Sequence, residues 1–185
     1  MNRLPIPTAE TAPVAAQPLL AAVKQQIGMV PNLMKVLAHS PAGLGAYLGF
    51  SAAIAGGELD AAARERIALT VAEANGCEYC LAAHTYLGKH VAKVGDSELD
   101  AARDGRSADT RHQALLQFTQ AVVAERGHVS DEALQDFLAA GFGHDAAIEV
   151  VANVALNVFT NYVNNVARTP VDFPRVQPRG QRRAA

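Results

Sequence analysis

The sequence predicts an all-α protein of about eight helices. Three observations carry this. Strand signals are nearly absent. Ala, Leu, Gln, Glu and Arg recur at helical spacing, and glycines break the chain into helix-length pieces.

The first 17 residues hold three prolines and no period, and predict an extended arm. A short helix follows from Pro18 to Ile27, stopped by Gly28, and Pro31 to Ala38 reads as one or two turns. Ser40-Pro41 is a start signal, an N-cap serine with proline at the first helical position. That helix runs to about Ala55 and ends at Gly56-Gly57. Asp60 caps the next, which carries Ile67, Ala68, Val71 and Ala72 and reaches Asn75-Gly76, a C-cap signature. The next helix starts at Cys77 and runs to about Val94. Asp96 to Arg103 makes a short helix closed by Gly105. Ser107 to Arg126 and Ser130 to Ala140 follow, closed by Gly127 and Gly141. The last and longest helix spans about Asp145 to Ala167 and stops at Thr169-Pro170. The domain thus runs from residue 18 to 168, and 169–185 is expected to be a basic, partly disordered tail. The stretches Gly43 to Val94 and Gln113 to Val166 share a layout of helices and breaks, which hints at a weak internal duplication.

Composition narrows the function classes. Half of the 185 residues are hydrophobic, enough for a core without staples. A formal charge of −2 leaves no nucleic-acid footprint. The start, MNRLPIPTAETAP, has no apolar region of signal-peptide type, and no run of about 18 apolar residues predicts a membrane span. The expectation is a cytoplasmic protein, where a spaced thiol pair is catalytic or metal-binding rather than structural.

That pair is Cys77 and Cys80, the only two cysteines of the chain, with His84 four residues beyond the second. A C-x-x-C of thioredoxin type needs a βαβ setting, which this chain lacks. Here Gly76 ends one helix and the cysteines open the next. Free N–H groups and the helix dipole favour a thiolate there. Cys80 and His84 are i,i+4 neighbours, so an imidazole is placed to take the thiol proton. Glu65 lies twelve residues before Cys77 in the preceding helix. Packing of the two helices sets it to face His84 and fix its tautomer. Glu73 and Glu78 are the competing carboxylates and are expected to be solvated.

The pattern Glu65, eleven residues, Cys77-Glu78-Tyr79-Cys80, three residues, His84 resembles the AhpD-like alkylhydroperoxidases of the carboxymuconolactone decarboxylase superfamily. GMVPNLMKVLAHSP at Gly28 to Pro41 and NVALNVFTNYVNNVARTPVDFP at Asn153 to Pro174 are similar to the peroxidase-related branch. The resemblance implies an all-helical AhpD-like fold in trimers or hexamers. It also implies reduction of organic hydroperoxides by the dithiol. Cys80 would be the peroxidatic thiol, Cys77 the resolving one, and His84 with Glu65 the proton relay. No cofactor and no metal is implied; the electron donor is an external dithiol, of lipoyl type in the best-studied relatives. Those relatives carry a further histidine directly before the second cysteine, where this chain has Tyr79.

Other readings stay open at this stage. The same dithiol suits a general thiol–disulfide oxidoreductase or redox sensor. Cys77, Cys80, His84 and Glu65 also form a possible zinc set, although a structural zinc site usually takes its second ligand pair from a distant segment. Two buried cysteines or a scaffold without catalysis remain the plainest alternatives. Asn153, Asn157, Asn161 and Asn164 form a stripe on an otherwise apolar helix. Either it is a solvated face, or it is a buried ladder of amides that lines the substrate channel or a subunit interface. His39, His90, His112, His128 and His144 show no partner pattern and are expected at the surface or at helix ends.

Overall fold

A computed structural model describes residues 2–8 and 10–180. Its described residues form nine α-helices and no strand, so the all-α fold class is observed. In order these are α1 (Gln17–Ile27), α2 (Asn32–Leu37), α3 (Pro41–Ala55), α4 (Ala61–Ala74), α5 (Glu78–His90), α6 (Asp96–Arg103), α7 (Thr110–Ala124), α8 (Asp131–Ala139) and α9 (His144–Ala167). The arm carries one 3-10 turn, Val14–Ala16, and buries Ala12 and Ala16.

Helix starts follow the caps. Ser40 Oγ accepts from Gly43 N at 3.0 Å, and Asp60 Oδ1 from Ala63 N at 2.7 Å. Two boundaries differ from the sequence expectation. Helix α7 starts at Thr110 behind Asp109, which accepts from His112 N at 2.8 Å. The expected start, Ser107, donates its hydroxyl to Glu98 at 2.6 Å instead. Helix α5 ends at His90 rather than Val94, because the chain turns through Lys93 at φ 59° and brings Val94 into the core.

Helix α4 is the centre, packed against α5, α6, α7 and α9. It is apolar on opposed faces. Leu69 and Ala72 enter a core shared with α1, α2, α5 and α6, whereas Ala63, Ile67 and Val71 enter a second core with α7, α8 and α9. Each fully buried Leu, Ile or Val contributes about 1.5–3 kcal/mol. Thr70 Oγ1 also donates to the Ala102 carbonyl at 2.6 Å, which ties α4 to α6. The Glu98 carboxyl is held below its ordinary range, first by the Ser107 hydroxyl and then by the Ala108 N–H. A lowered folded-state value stabilises the fold at neutral pH and ceases to do so as pH falls through it.

Beyond α9, residues 169–180 lie against the body of the protein. Gln177 donates to Glu78 at 2.7 Å and takes Arg103 Nη2 on its carbonyl at 2.7 Å. Arg179 pairs with Asp100 and Asp104. The expectation of disorder for residues 181–185 falls outside the described residues. Under this strap, Arg103 and Glu73 form an ion pair at 2.7 Å with side chains only 11% and 12% exposed. Glu73 is therefore not solvated, contrary to the sequence expectation, because α6 brings the Arg103 guanidinium onto it and the strap the Arg179 backbone N–H. Removal of one partner leaves a buried charge unpaired. Arg103→Ala is expected to cost about 3 kcal/mol, a fall in melting temperature of roughly 6–12 °C; calorimetry checks it.

Helix α9 is the one helix among the described residues whose length and mean hydropathy of 1.3 reach those of a membrane span. It packs against α2, α3, α4, α5, α7 and α8, as a core helix does.

Candidate active site

The site is built where α4 turns into α5. Gly76 adopts φ 61°, in the left-handed region, and the Cys77 N–H reaches back to the Ala72 carbonyl at 2.9 Å. This sharp reversal lays α5 antiparallel along α4. Cys77 is the N-cap of α5, and its Sγ accepts from the Cys80 N–H at 3.2 Å. The two sulfurs form a disulfide. Both cysteines are buried, at 0% and 2% exposure.

One turn further, His84 Nδ1 meets Glu65 Oε2 of α4 at 2.8 Å. The pair that the sequence spacing predicts is thus formed. Because a carboxylate only accepts, Nδ1 carries the proton and Nε2 is the basic nitrogen. Cys80, His84 and Glu65 line one cavity of about 260 Å³, and Cys77 does not. Its walls come from α2, α3, α4, α5 and α9 and include the apolar and aromatic Leu33, Tyr47, Tyr79 and Leu156.

Tyr79 takes no part in the His84–Glu65 pair. Its hydroxyl accepts from Leu33 N at 3.2 Å, and its ring meets Phe173 edge-on at 5.9 Å. Burial pushes this hydroxyl well above the usual tyrosine range, so it stays protonated. Tyr79 anchors α5 to α2 and the strap, and walls the cavity. Glu78 leans on Gln177 and Arg175 rather than standing free.

The asparagine stripe is buried, with Asn153 at 2%, Asn157 at 6%, Asn161 at 0% and Asn164 at 3% exposure. The solvated-face reading is therefore overturned. Asn153 and Asn157 line the cavity. Asn161 Oδ1 accepts from Asn75 Nδ2 at 3.0 Å, which holds the turn before the thiols. Asn164 Nδ2 reaches Cys80 Sγ at 3.3 Å. Sequence spacing singled out the stripe but gave no register against α5. Tyr47 was missed altogether. It stands on α3 beside Ser51 and near Glu65, and burial raises its hydroxyl too. Some histidines do have partners: His39 meets the Pro5 carbonyl at 2.8 Å, and His112 meets Asp109 at 3.2 Å.

Among the described residues, no three His, Cys, Asp or Glu side chains converge as a metal set. The zinc alternative needs Cys77, Cys80, His84 and Glu65 together, and Cys77 is the one of the four that does not line the shared cavity.

The sequence profile of the carboxymuconolactone decarboxylase family matches residues 41–124, from the start of α3 to the end of α7, and includes Glu65, both cysteines and His84. Over that stretch the chain is similar to the carboxymuconolactone decarboxylase family. Solved structures superpose over nearly the whole chain. One is an alkylhydroperoxidase AhpD core, an uncharacterised peroxidase-related protein from Ralstonia eutropha JMP134, at TM-score 0.83 and 24% identity over 92% of each chain. Another is an uncharacterised peroxidase-related protein from Silicibacter sp. TM1040, at TM-score 0.79 and 20% identity over 97% of this chain and 95% of that one. A third is the debrominase Bmp8, as a cysteine-to-alanine variant in complex with 2,3,4-tribromopyrrole, at TM-score 0.75 and 21% identity over 93% of each chain. No curated protein matches the chain. At these identities the structural likeness establishes the AhpD-like fold.

Proposed function

We propose that this protein is a thiol-dependent peroxidase that reduces organic hydroperoxides. The observation that carries the reading is the cavity. It brings Cys80 and the His84–Glu65 pair to one apolar space, with Cys77 directly behind. In the reduced dithiol, His84 Nε2 accepts the Cys80 proton while Glu65 holds Nδ1. The Cys80 thiolate attacks the distal oxygen of ROOH, the O–O bond breaks, and ROH leaves with the proton that His84 returns. Cys80 is then a sulfenic acid. Cys77, favoured as a thiolate at its N-cap position, attacks that sulfur and releases water. The product is the Cys77–Cys80 disulfide, the form present in the structure. Two electrons pass from the dithiol to the peroxide, and an external dithiol of lipoyl type restores them by exchange. The reading places the protein in the cytoplasm as a homo-oligomer, with no nucleic-acid or membrane partner.

The test is mass spectrometry of reduced protein after one equivalent of cumene hydroperoxide. Loss of two hydrogens at the Cys77–Cys80 pair, with cumyl alcohol formed in equal amount, is expected; intact thiols and intact peroxide would overturn the reading. A second reading has one observation in its favour, the similar structure of a debrominase in complex with a brominated pyrrole. The Tyr47 and Tyr79 walls suit a flat aromatic ring. There the same dithiol gives two electrons to a carbon–bromine bond, so that R–Br becomes R–H with release of bromide. Bromide release from 2,3,4-tribromopyrrole, with the hydroperoxide left untouched, would select it.

A further inference from the structure

Three asparagines in the C-terminal half of α9 converge on the segment that carries the thiols. Asn161 and Asn165 hold Asn75 through its side chain and its carbonyl, each at 3.0 Å. Asn164, between them, donates Nδ2–H to Cys80 Sγ at 3.3 Å. We propose that Asn164 is a catalytic residue, the hydrogen-bond donor that stabilises negative charge on the Cys80 sulfur. The proposal rests on the reading of the dithiol as the reaction centre, but not on a peroxide being its substrate.

The need for such a donor follows from the geometry. Cys80 is 2% exposed, and burial penalises a thiolate. The helix start supplies a backbone N–H, but that N–H, from Cys80 itself, points at Cys77 Sγ at 3.2 Å. The helix terminus thus serves Cys77, and the Cys80 sulfur needs another donor. A neutral amide N–H binds a sulfur anion more strongly than a neutral thiol or a disulfide. The charged and titratable groups at the cavity that Cys80 lines are Glu65 and Arg64 of α4, His84 and Tyr79 of α5, and Tyr47 of α3; Asn164 itself borders a separate pocket with Glu78 and Tyr79 of α5, Arg168 and Arg175. Asn164 Oδ1 finds no hydrogen-bond partner among the described residues, so the sulfur contact is what orients this buried amide. Asparagine is also a poor helix former, and the sulfur contact offsets the cost of its place in the last turn of α9.

The amide serves two steps. In the forward reaction it favours the Cys80 thiolate that attacks the substrate. In the return reaction the external thiolate attacks the sulfur that lines the cavity, Cys80 Sγ; the S–S bond breaks, and the electron pair goes to Cys77 Sγ, which accepts from the Cys80 N–H at 3.2 Å. A mixed disulfide forms on Cys80, and the donor's second thiol attacks the donor sulfur of that bond, so that the donor is oxidised and the electron pair goes to Cys80 Sγ. The Asn164 N–H is already in place where that charge develops.

The test compares wild type and Asn164→Ala at equilibrium with reduced and oxidised dithiothreitol. The amide stabilises the reduced form, so its removal should favour the disulfide by about tenfold, a potential about 30 mV lower. In a Cys77→Ser background, the pH midpoint of iodoacetamide alkylation at Cys80 should rise by about one unit, while the plateau rate at high pH is kept. A residue that only fills space would shift the melting temperature and leave both quantities alone, and that result would overturn the proposal. Asn164→Ser, which retains a donor, should fall between the two and gives the same readouts should the alanine variant not fold. Neither measurement uses peroxide. An intact shift without peroxide turnover would sink the peroxidase reading alone, and turnover without a shift would sink this proposal alone.

Discussion

Cys80→Ser is expected to abolish peroxide consumption, a loss of at least about 1,000-fold, as removal of a nucleophile generally does. Cys77→Ser should instead keep a single turnover and let a sulfenic acid accumulate on Cys80. Two features of the structure pull in different directions here. Cys77 sits at the N-cap and takes the Cys80 N–H at 3.2 Å, so the helix terminus favours its thiolate. Cys80 has the Asn164 amide, and it lines the cavity with His84 and Glu65. A helix terminus contributes about 0.3–2 kcal/mol to an anion, a modest gain in thiolate population. Access outweighs it, because a thiolate that the substrate cannot reach does not react. The stabilised Cys77 thiolate suits the second step, attack on the sulfenic acid. A dimedone-type reagent should therefore label Cys80 in Cys77→Ser and leave Cys80→Ser unlabelled. Label on Cys77 in Cys80→Ser, after exposure to the hydroperoxide, would reverse the two roles.

The parts of this molecule legible in the sequence are those set by local chemistry. Ser40-Pro41 and Asp60 each predict a helix start because the cap is a contact within four residues. Asn75-Gly76 predicts the reversal of α4 into α5, and that reversal alone brings Glu65 to His84 at 2.8 Å. Features that depend on distant segments were not legible. The Arg103–Glu73 pair and the strap over Glu78 need residues at 177 and 179 to meet the α4–α5 turn. Ser107 has the chemistry of a cap, yet Glu98 claims its hydroxyl and Asp109 caps α7. The asparagines of α9 show the same limit most clearly. Periodicity places all four on one side of a helix, but only the packing of α9 against the α4–α5 turn decides that two line the cavity, one holds Asn75 and one reaches a sulfur. Tyr79 also had no local signal for its role, since its partners Leu33 and Phe173 lie in other elements.

Glu65→Gln should slow thiolate formation at Cys80 and lower turnover by about 10- to 1,000-fold, the range of typical acid–base contributions. The carboxylate is 19% exposed at its side chain and lies 2.8 Å from His84 Nδ1. It does two things there. It fixes the tautomer that leaves Nε2 basic, and its charge stabilises the imidazolium that forms when His84 takes the thiol proton. Glutamine fills the same volume. Its carbonyl can still accept from Nδ1–H, so the ring orientation and the fold survive, while the stabilising charge is lost. The imidazolium then forms less readily, and proton transfer from Cys80 is penalised. The distinguishing measurement is the pH dependence of Cys80 alkylation in reduced wild type and variant, read beside steady-state hydroperoxide consumption. In the variant, alkylation near neutral pH should be slower and should recover as pH rises and free hydroxide replaces the relay as base. An unchanged profile with full turnover would show that the Glu65–His84 contact only braces α4 against α5, and that the Cys80 proton leaves by another route.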